Sequence, residues 1–145
     1  MDVTFRRAVE AVIRRWLGVW ENWTPIVEQP TAVTATIVEA KYCLVGQICH
    51  IYASLLVTGA GTGNNPIIVA GLPVDAQIGC VQELCIGSAE IKDAGNLYYH
   101  AAVMVHAAEA VKFLDSGQAD YVGVAPNYAL ANNDVISFSA TYRIA

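Results

Sequence analysis

Three histidines, four cysteines and thirteen carboxylates are the side chains here that could hold a metal, attack a carbonyl or move a proton. Zinc sites are built from closely spaced ligand pairs. Cys43, Cys49, Cys80 and Cys85 include no C-x-x-C pair, and Cys80 and Cys85 alternate onto opposite faces of one expected strand. The four thiols read as small buried hydrophobes in a reducing cytoplasm. His100 and His106 share a face of an expected strand, but six residues of extended chain separate them by ~20 Å. With His50, they read as solvated or interface histidines. Gly59-Ala60-Gly61-Thr62-Gly63 invites a phosphate-cradle reading, yet that fingerprint needs G-x-G-x-x-G between a strand and a helix. Here the glycines run into Asn64-Asn65-Pro66 and a further strand, which is hairpin-loop chemistry. Ser88 in Gly87-Ser88-Ala89 lacks the G-x-S-x-G elbow. Glu39, Glu83, Glu90 and Asp93 could supply a glycosidase carboxylate pair, as could the acids of most β proteins. No catalytic residue, cofactor or metal site is expected, so the chain reads as a non-enzyme.

The segment Gly117 to Asp134 is more suggestive. It carries Tyr121, Asn127, Tyr128, Asn132 and Asn133, with only Asp120 and Asp134 charged. Tyr and Asn offer rigid contact area and adaptable hydrogen bonds at low entropic cost, so Tyr121, Asn127, Tyr128 and Asn132 are the candidate ligand loop. The competing reading has the tyrosines pinning a long loop and the asparagines making turns.

The elements that must position these residues divide into two regions. In residues 2 to 23, Phe5, Val9, Val12, Trp16, Val19 and Trp23 recur at spacings of 4, 3, 4, 3 and 4. This is the a/d seam of a coiled coil. Ile13, Leu17 and Trp20 widen the stripe, and arginines hold most of the other face. Asp2 or Thr4 should cap the helix and Thr24-Pro25 should stop it. So short a helix is marginal alone in water. It must pack on its own domain, on sister copies or on a larger assembly; arginines opposing a Trp-rich face also suit a helix lying on a membrane. The expected division is a helix over 1–23 (anchor and oligomer interface), a stiff Pro25/Pro30 connector over 24–31, and a β domain over 32–145.

Charge follows that division. Residues 1 to 20 hold four arginines against Asp2 and Glu10, whereas residues 31 to 145 hold four basic residues against nine acids. The net charge is −5, charged residues are 14% of the chain, and apolar residues reach 55%. That composition excludes disorder, argues against a nucleic-acid partner, and points to surface buried in other protein. The arginines break every apolar run of a signal peptide. Tyr42 to Val74 has no charged residue, but Gln47 and His50 at its centre and its period-two alternation make it strand rather than membrane span.

Strands are expected near 34–45, 48–57, 66–71, 78–88, 97–106, 110–115 and 135–144. The alanines and Glu109 leave 97–114 open to a helix. In Ile48–Val57 the set Cys49, Ile51, Ala53, Leu55 and Val57 faces inward, and His50, Tyr52 and Ser54 face outward. In Val135–Ile144, Ile136, Phe138, Ala140, Tyr142 and Ile144 face inward, and Ser137, Ser139, Thr141 and Arg143 outward. Gly46-Gln47 should form a two-residue type II′ turn that sets Val45 opposite Ile48 and Cys43 opposite His50. Cys43 and Cys49 then lie on opposite faces and cannot bond. Many strands without a βαβ rhythm predict an all-β fold: an antiparallel β-sandwich or jelly roll with one N-terminal α-helix.

Tyr42-Cys43-Leu44-Val45-Gly46, Thr58-Gly59-Ala60-Gly61-Thr62-Gly63 and Leu72-Pro73 follow in order. This series resembles the Y-x-x-x-G … T-G-x-G-T-G … L-P run in C-terminal domains of many bacteriophage structural proteins. Those domains are similar to the trimeric jelly rolls of complement globular heads and tumour-necrosis-factor-like ligands. The resemblance implies a homotrimeric virion component of a head or tail (fibre, spike or decoration protein), assembled in the bacterial host cytoplasm. Its partners would be other virion proteins (capsid, portal-proximal or tail). The alternative it implies is a carbohydrate- or receptor-binding module at the particle surface that contacts a host glycan. The family usually places a long stalk before this head. The short Trp-rich helix here suggests a compact decoration or spike-base piece, or a fibre tip docked on another protein.

Overall fold

A computed structural model describes residues 2–78, 84–95 and 97–145; Cys80 and Glu83 lie outside them. One helix, α1 (Val3–Leu17), precedes ten strands: β1 (Glu21–Asn22), β2 (Ile26–Glu28), β3 (Ala32–Val33), β4 (Ala35–Val45) and β5 (Ile48–Val57), then β6 (Ile68–Ala70), β7 (Cys85–Lys92), β8 (Tyr98–Ala107), β9 (Ala110–Asp115) and β10 (Val135–Arg143). The protein is therefore mostly antiparallel β with one N-terminal helix.

The sequence predicts a sandwich or jelly roll. The ten strands instead pair into one sheet, in the order β1-β4-β5-β10-β7-β8-β9-β6-β2-β3, strongly curled into a half-barrel. Register shifts at Ile37/Glu39, Cys85/Gly87 and Val105/Ala107 interrupt three of its ladders, and such bulges bend and twist a strand. The curl brings distant strands face to face. Phe113 of β9 meets Phe138 of β10 edge-on at 5.6 Å although β7 and β8 lie between them in the sheet. One sheet folded over its own concave side thus buries what a sandwich buries between two. Ile51, Leu55, Ile91, Val103, Phe113 and Ile136 form the centre of that core.

Alternation positions the two faces. In β5 and β10 the inward sets are buried and the outward sets exposed or half-buried, as the period-two pattern requires. The β4–β5 hairpin has the expected register, Val45 opposite Ile48 and Cys43 opposite His50. Its Gly46 sits at φ +60°, while Gln47 is not among the residues with positive φ, the type II′ combination. The segment 97–114, open to a helix by composition, is the β8–β9 hairpin; cross-strand burial of Val103, Val111 and Phe113 overrides alanine's helix preference.

The N-terminal division differs from expectation. Asp2 caps α1 by accepting from the Thr4 N–H at 3.2 Å. The helix ends at Leu17 because Gly18 takes the left-handed conformation (φ +62°) and its N–H bonds to the Arg14 carbonyl. The Thr24-Pro25 stop is not reached: the chain has already turned back, and β1 pairs with Lys41 and Tyr42 of β4. The expected 24–31 connector is not a linker either. Its Ile26–Glu28 is a strand between β3 and β6, with Val27 and Gln29 buried. Prolines 25 and 30 flank a strand, and the boundary between helix and β domain falls at Gly18.

Candidate functional site

The sequence nominated two groups of residues, and the structure treats them very differently. In the Tyr/Asn loop, Tyr128 is buried, and its hydroxyl donates to Asp134 Oδ2. Asp134, fully buried, also accepts from the Ala94 and Ala131 backbone N–H groups at 2.8 and 2.7 Å. Burial, then the Asp134 bond, pushes the Tyr128 phenol far above its ordinary range. The Asn127 side chain accepts from the Asn64 N–H at 2.9 Å, tying the loop to the glycine-rich segment. Tyr121 lies half-buried beneath Lys112, whose Nζ stands 3.6 Å from the ring centroid. Asn132 is exposed, beside Asn133, whose positive φ makes the turn before β10. Tyr128 and Asn127 thus hold the loop down.

Gln29 is the centre of this knot and carried no sequence signal. It is 1% exposed, donates to the Asn65 and Tyr128 carbonyls (3.1 and 2.6 Å), and accepts from the Leu130 N–H at 2.8 Å. Three chain segments remote in sequence therefore share one amide. The glycine-rich run packs on it: a Cβ at Gly61 would collide with Gln29 Oε1, and one at Gly123 (φ +107°) with the Asn65 carbonyl. The Gly59–Gly63 loop serves this packing.

The heptad residues separate at Gly18. Phe5, Val9, Val12 and Trp16 lie on α1, which buries none of its residues; Trp16 is 71% exposed. The helix touches the sheet at β4 alone among its closer contacts, with Arg15 Nε donating to the Gly46 carbonyl at 2.6 Å. Val19 lies beyond the helix, in a shallow cleft with Tyr42 and Leu44. Trp23, the last seam position, is 7% exposed in the domain core, edge-on to Phe138 at 6.4 Å. The seam is four residues on the helix, not six.

A third grouping appears only in the folded sheet. Because β5, β10, β7 and β8 are neighbours, their outward residues line up in rows: Tyr52–Ser139–Ser88–Ala102, and beside it Ser54–Ser137–Glu90–His100. Ser54 and Ser137 hydroxyls are 3.3 Å apart, and Glu90 faces the His100 imidazole at 3.6 Å. Trp20, just past the helix, leans edge-on over Tyr52 at 5.3 Å. The Tyr52 hydroxyl donates to Glu39 at 3.0 Å, and that bond raises its pKa. A groove of about 710 Å³ runs along these rows, and a second of about 530 Å³ adjoins it under Trp20, sharing Tyr52, Ser88 and Ser139. The outward sets of β5 and β10 were legible as alternation; that they meet was not.

Burial raises the Cys43 and Cys49 thiols, which keeps them protonated and unreactive; Cys85, expected to be buried, is exposed, and all three are free. His50 shares a 2.8 Å hydrogen bond with Thr141, whereas burial first, then Lys112, lowers His106 against the opposing pull of Glu28. Among the described residues no three His, Cys, Asp or Glu side chains gather as a metal site, and no helix is long and apolar enough to cross a membrane.

Fold and surface together define an antiparallel β domain that displays an uncovered amphipathic helix and, on its outer sheet face, a groove lined by serines and small apolar residues. No protein-family model, curated protein or solved structure matches the chain.

Proposed function

We propose that the protein is a non-enzymatic structural component of a bacteriophage particle. It assembles as a homotrimer and docks on other virion proteins through α1, with the curled sheet serving as the jelly-roll-like head of a fibre, spike or decoration piece. The observation that carries this reading is the contrast between a domain with a continuous buried core and a helix whose whole apolar stripe is left in water. Phe5, Val9, Val12, Ile13, Trp16 and Leu17 are all exposed on fifteen residues of helix. An exposed apolar stripe of that kind marks a surface meant to be covered. At about 25 cal/mol per Å², burying ~500 Å² of it per copy contributes roughly 12 kcal/mol, within the range of the entropic cost of association, about 4–15 kcal/mol. The seam supports assembly on that scale. The virion assignment rests on the Tyr42–Pro73 pattern, whose Gly46 and Gly61 stand at positions where the fold requires glycine.

Light scattering of the full chain tests the assembly. A trimer mass is expected at micromolar concentration, falling to the monomer in Phe5→Ser/Val12→Ser/Trp16→Ser. A wild-type monomer that neither self-associates nor is retained by particles of a producing phage refutes the reading.

A further inference from the structure

We propose that the outer face of the four central strands is a binding groove for a neutral saccharide chain, separate from the Tyr/Asn loop and from the helix seam. A saccharide presents apolar C–H faces and, around its edge, hydroxyls that both donate and accept. The groove supplies the complement of each. Trp20, 49% exposed, and Tyr52 form an aromatic wall at one end, amphipathic surfaces suited to a ring with a wet edge. The floor is Ser88, Ser137 and Ser139, with Ser54 beside them; each hydroxyl can donate once and accept twice. Glu90, paired with His100, closes the far end with an acceptor held by its neighbour.

Three features favour this occupant. First, the floor residues are small, so the sheet is hollow where bulkier side chains would fill it, and the about 710 Å³ of the larger groove falls within the ~300–1,000 Å³ of ligand clefts. Second, the groove sets hydroxyls and an acid among alanines, the mostly apolar lining with a few placed polar groups that characterises small-ligand clefts. Third, Glu39 and Glu90 both lie in the Ser54–Ser137 row, with Lys41 alone of the basic residues beside it on β4, in a chain of net charge −5; that balance disfavours an acidic glycan and selects neutral chains.

The test is an array of neutral and acidic oligosaccharides, followed by titration of the full-length protein with the strongest neutral binder while tryptophan fluorescence is read. Binding at about 1 mM or better, with a change in emission, is expected. Ser88→Tyr, at an exposed floor position, should weaken binding at least tenfold, as should Trp20→Ala; Tyr121→Ala should leave it unchanged. Circular dichroism and light scattering accompany each variant. The proposal is overturned if no neutral chain binds, if Ser88→Tyr binds as well as wild type, or if Ser88→Tyr dissociates the oligomer, which would make this face an interface between copies. A monomeric protein that binds saccharide in the groove would refute the trimer and leave this proposal standing.

Discussion

Trp16 and Trp23 stand one heptad apart on the same sequence seam, yet one is 71% exposed and the other 7%. Both obey the same spacing, and the difference lies in what happens between them. Gly18 ends the helix, the chain reverses into β1, and Trp23 enters the core against Phe138. A periodic stripe identifies residues that need covering without saying by what. Trp23 is covered by its own domain; Trp16 is left for a partner. Trp20, between them, leans on Tyr52 and remains half in solvent at the edge of the groove.

That contrast can be broken experimentally. The largest expected effect is Trp23→Ala, which should remove about 3–5 kcal/mol of stability, the range for deleting a buried aromatic, read as a fall in thermal and urea midpoints. Gln29→Ala should follow at about 2–4 kcal/mol, because orphaning its two fully buried partners, the Tyr128 carbonyl and the Leu130 N–H, costs at least ~1 kcal/mol each. Tyr128→Phe should cost about 1–3 kcal/mol by withdrawing one donor from buried Asp134. If it costs nothing and instead abolishes a ligand interaction, the loop is a recognition surface after all.

Trp16→Ser should leave the unfolding free energy of the domain within about 0.5 kcal/mol and still lower the oligomeric mass. Destabilisation as large as that of Trp23→Ala would erase the distinction between the two tryptophans. The smallest effect is a pH dependence. Burial depresses the folded-state pKa of His106, so below about pH 6.5 the unfolded chain binds the proton more readily than the folded one. Stability should therefore fall as pH drops from about 6.5 through the folded pKa, and His106→Gln should flatten that slope in urea titrations across pH 5 to 7.

Local patterns were legible where a single element decided them. The β4–β5 register follows from Gly46 and the alternation around it, and the faces of β5 and β10 follow from their period of two. β1, β2 and β3 are two or three residues long, too short for a period to show; β6 is as short but lies in the apolar run Ile67–Ala70 between Pro66 and Gly71, which marks it. The composition of the Tyr/Asn loop suits a ligand site and a pinned scaffold equally. Only the partners of Tyr128 and Asn127, which lie on other segments, place those two residues in the scaffold.

By itself the sequence determined which residues alternate, where the hairpin turns, that one helix precedes an antiparallel β domain, and that more apolar surface exists than polar residues can dress. These are consequences of neighbours along the chain, where a period of two or 3.6 and the φ of a glycine act over a few residues. Tertiary structure alone decided that ten strands curl into one sheet, that Gln29 gathers three loops, that Trp23 belongs to the core, and that serines from β5, β7 and β10 share a groove. Each of these depends on which strands are neighbours in space, and that choice is made by the global burial of apolar area, a quantity no local window contains.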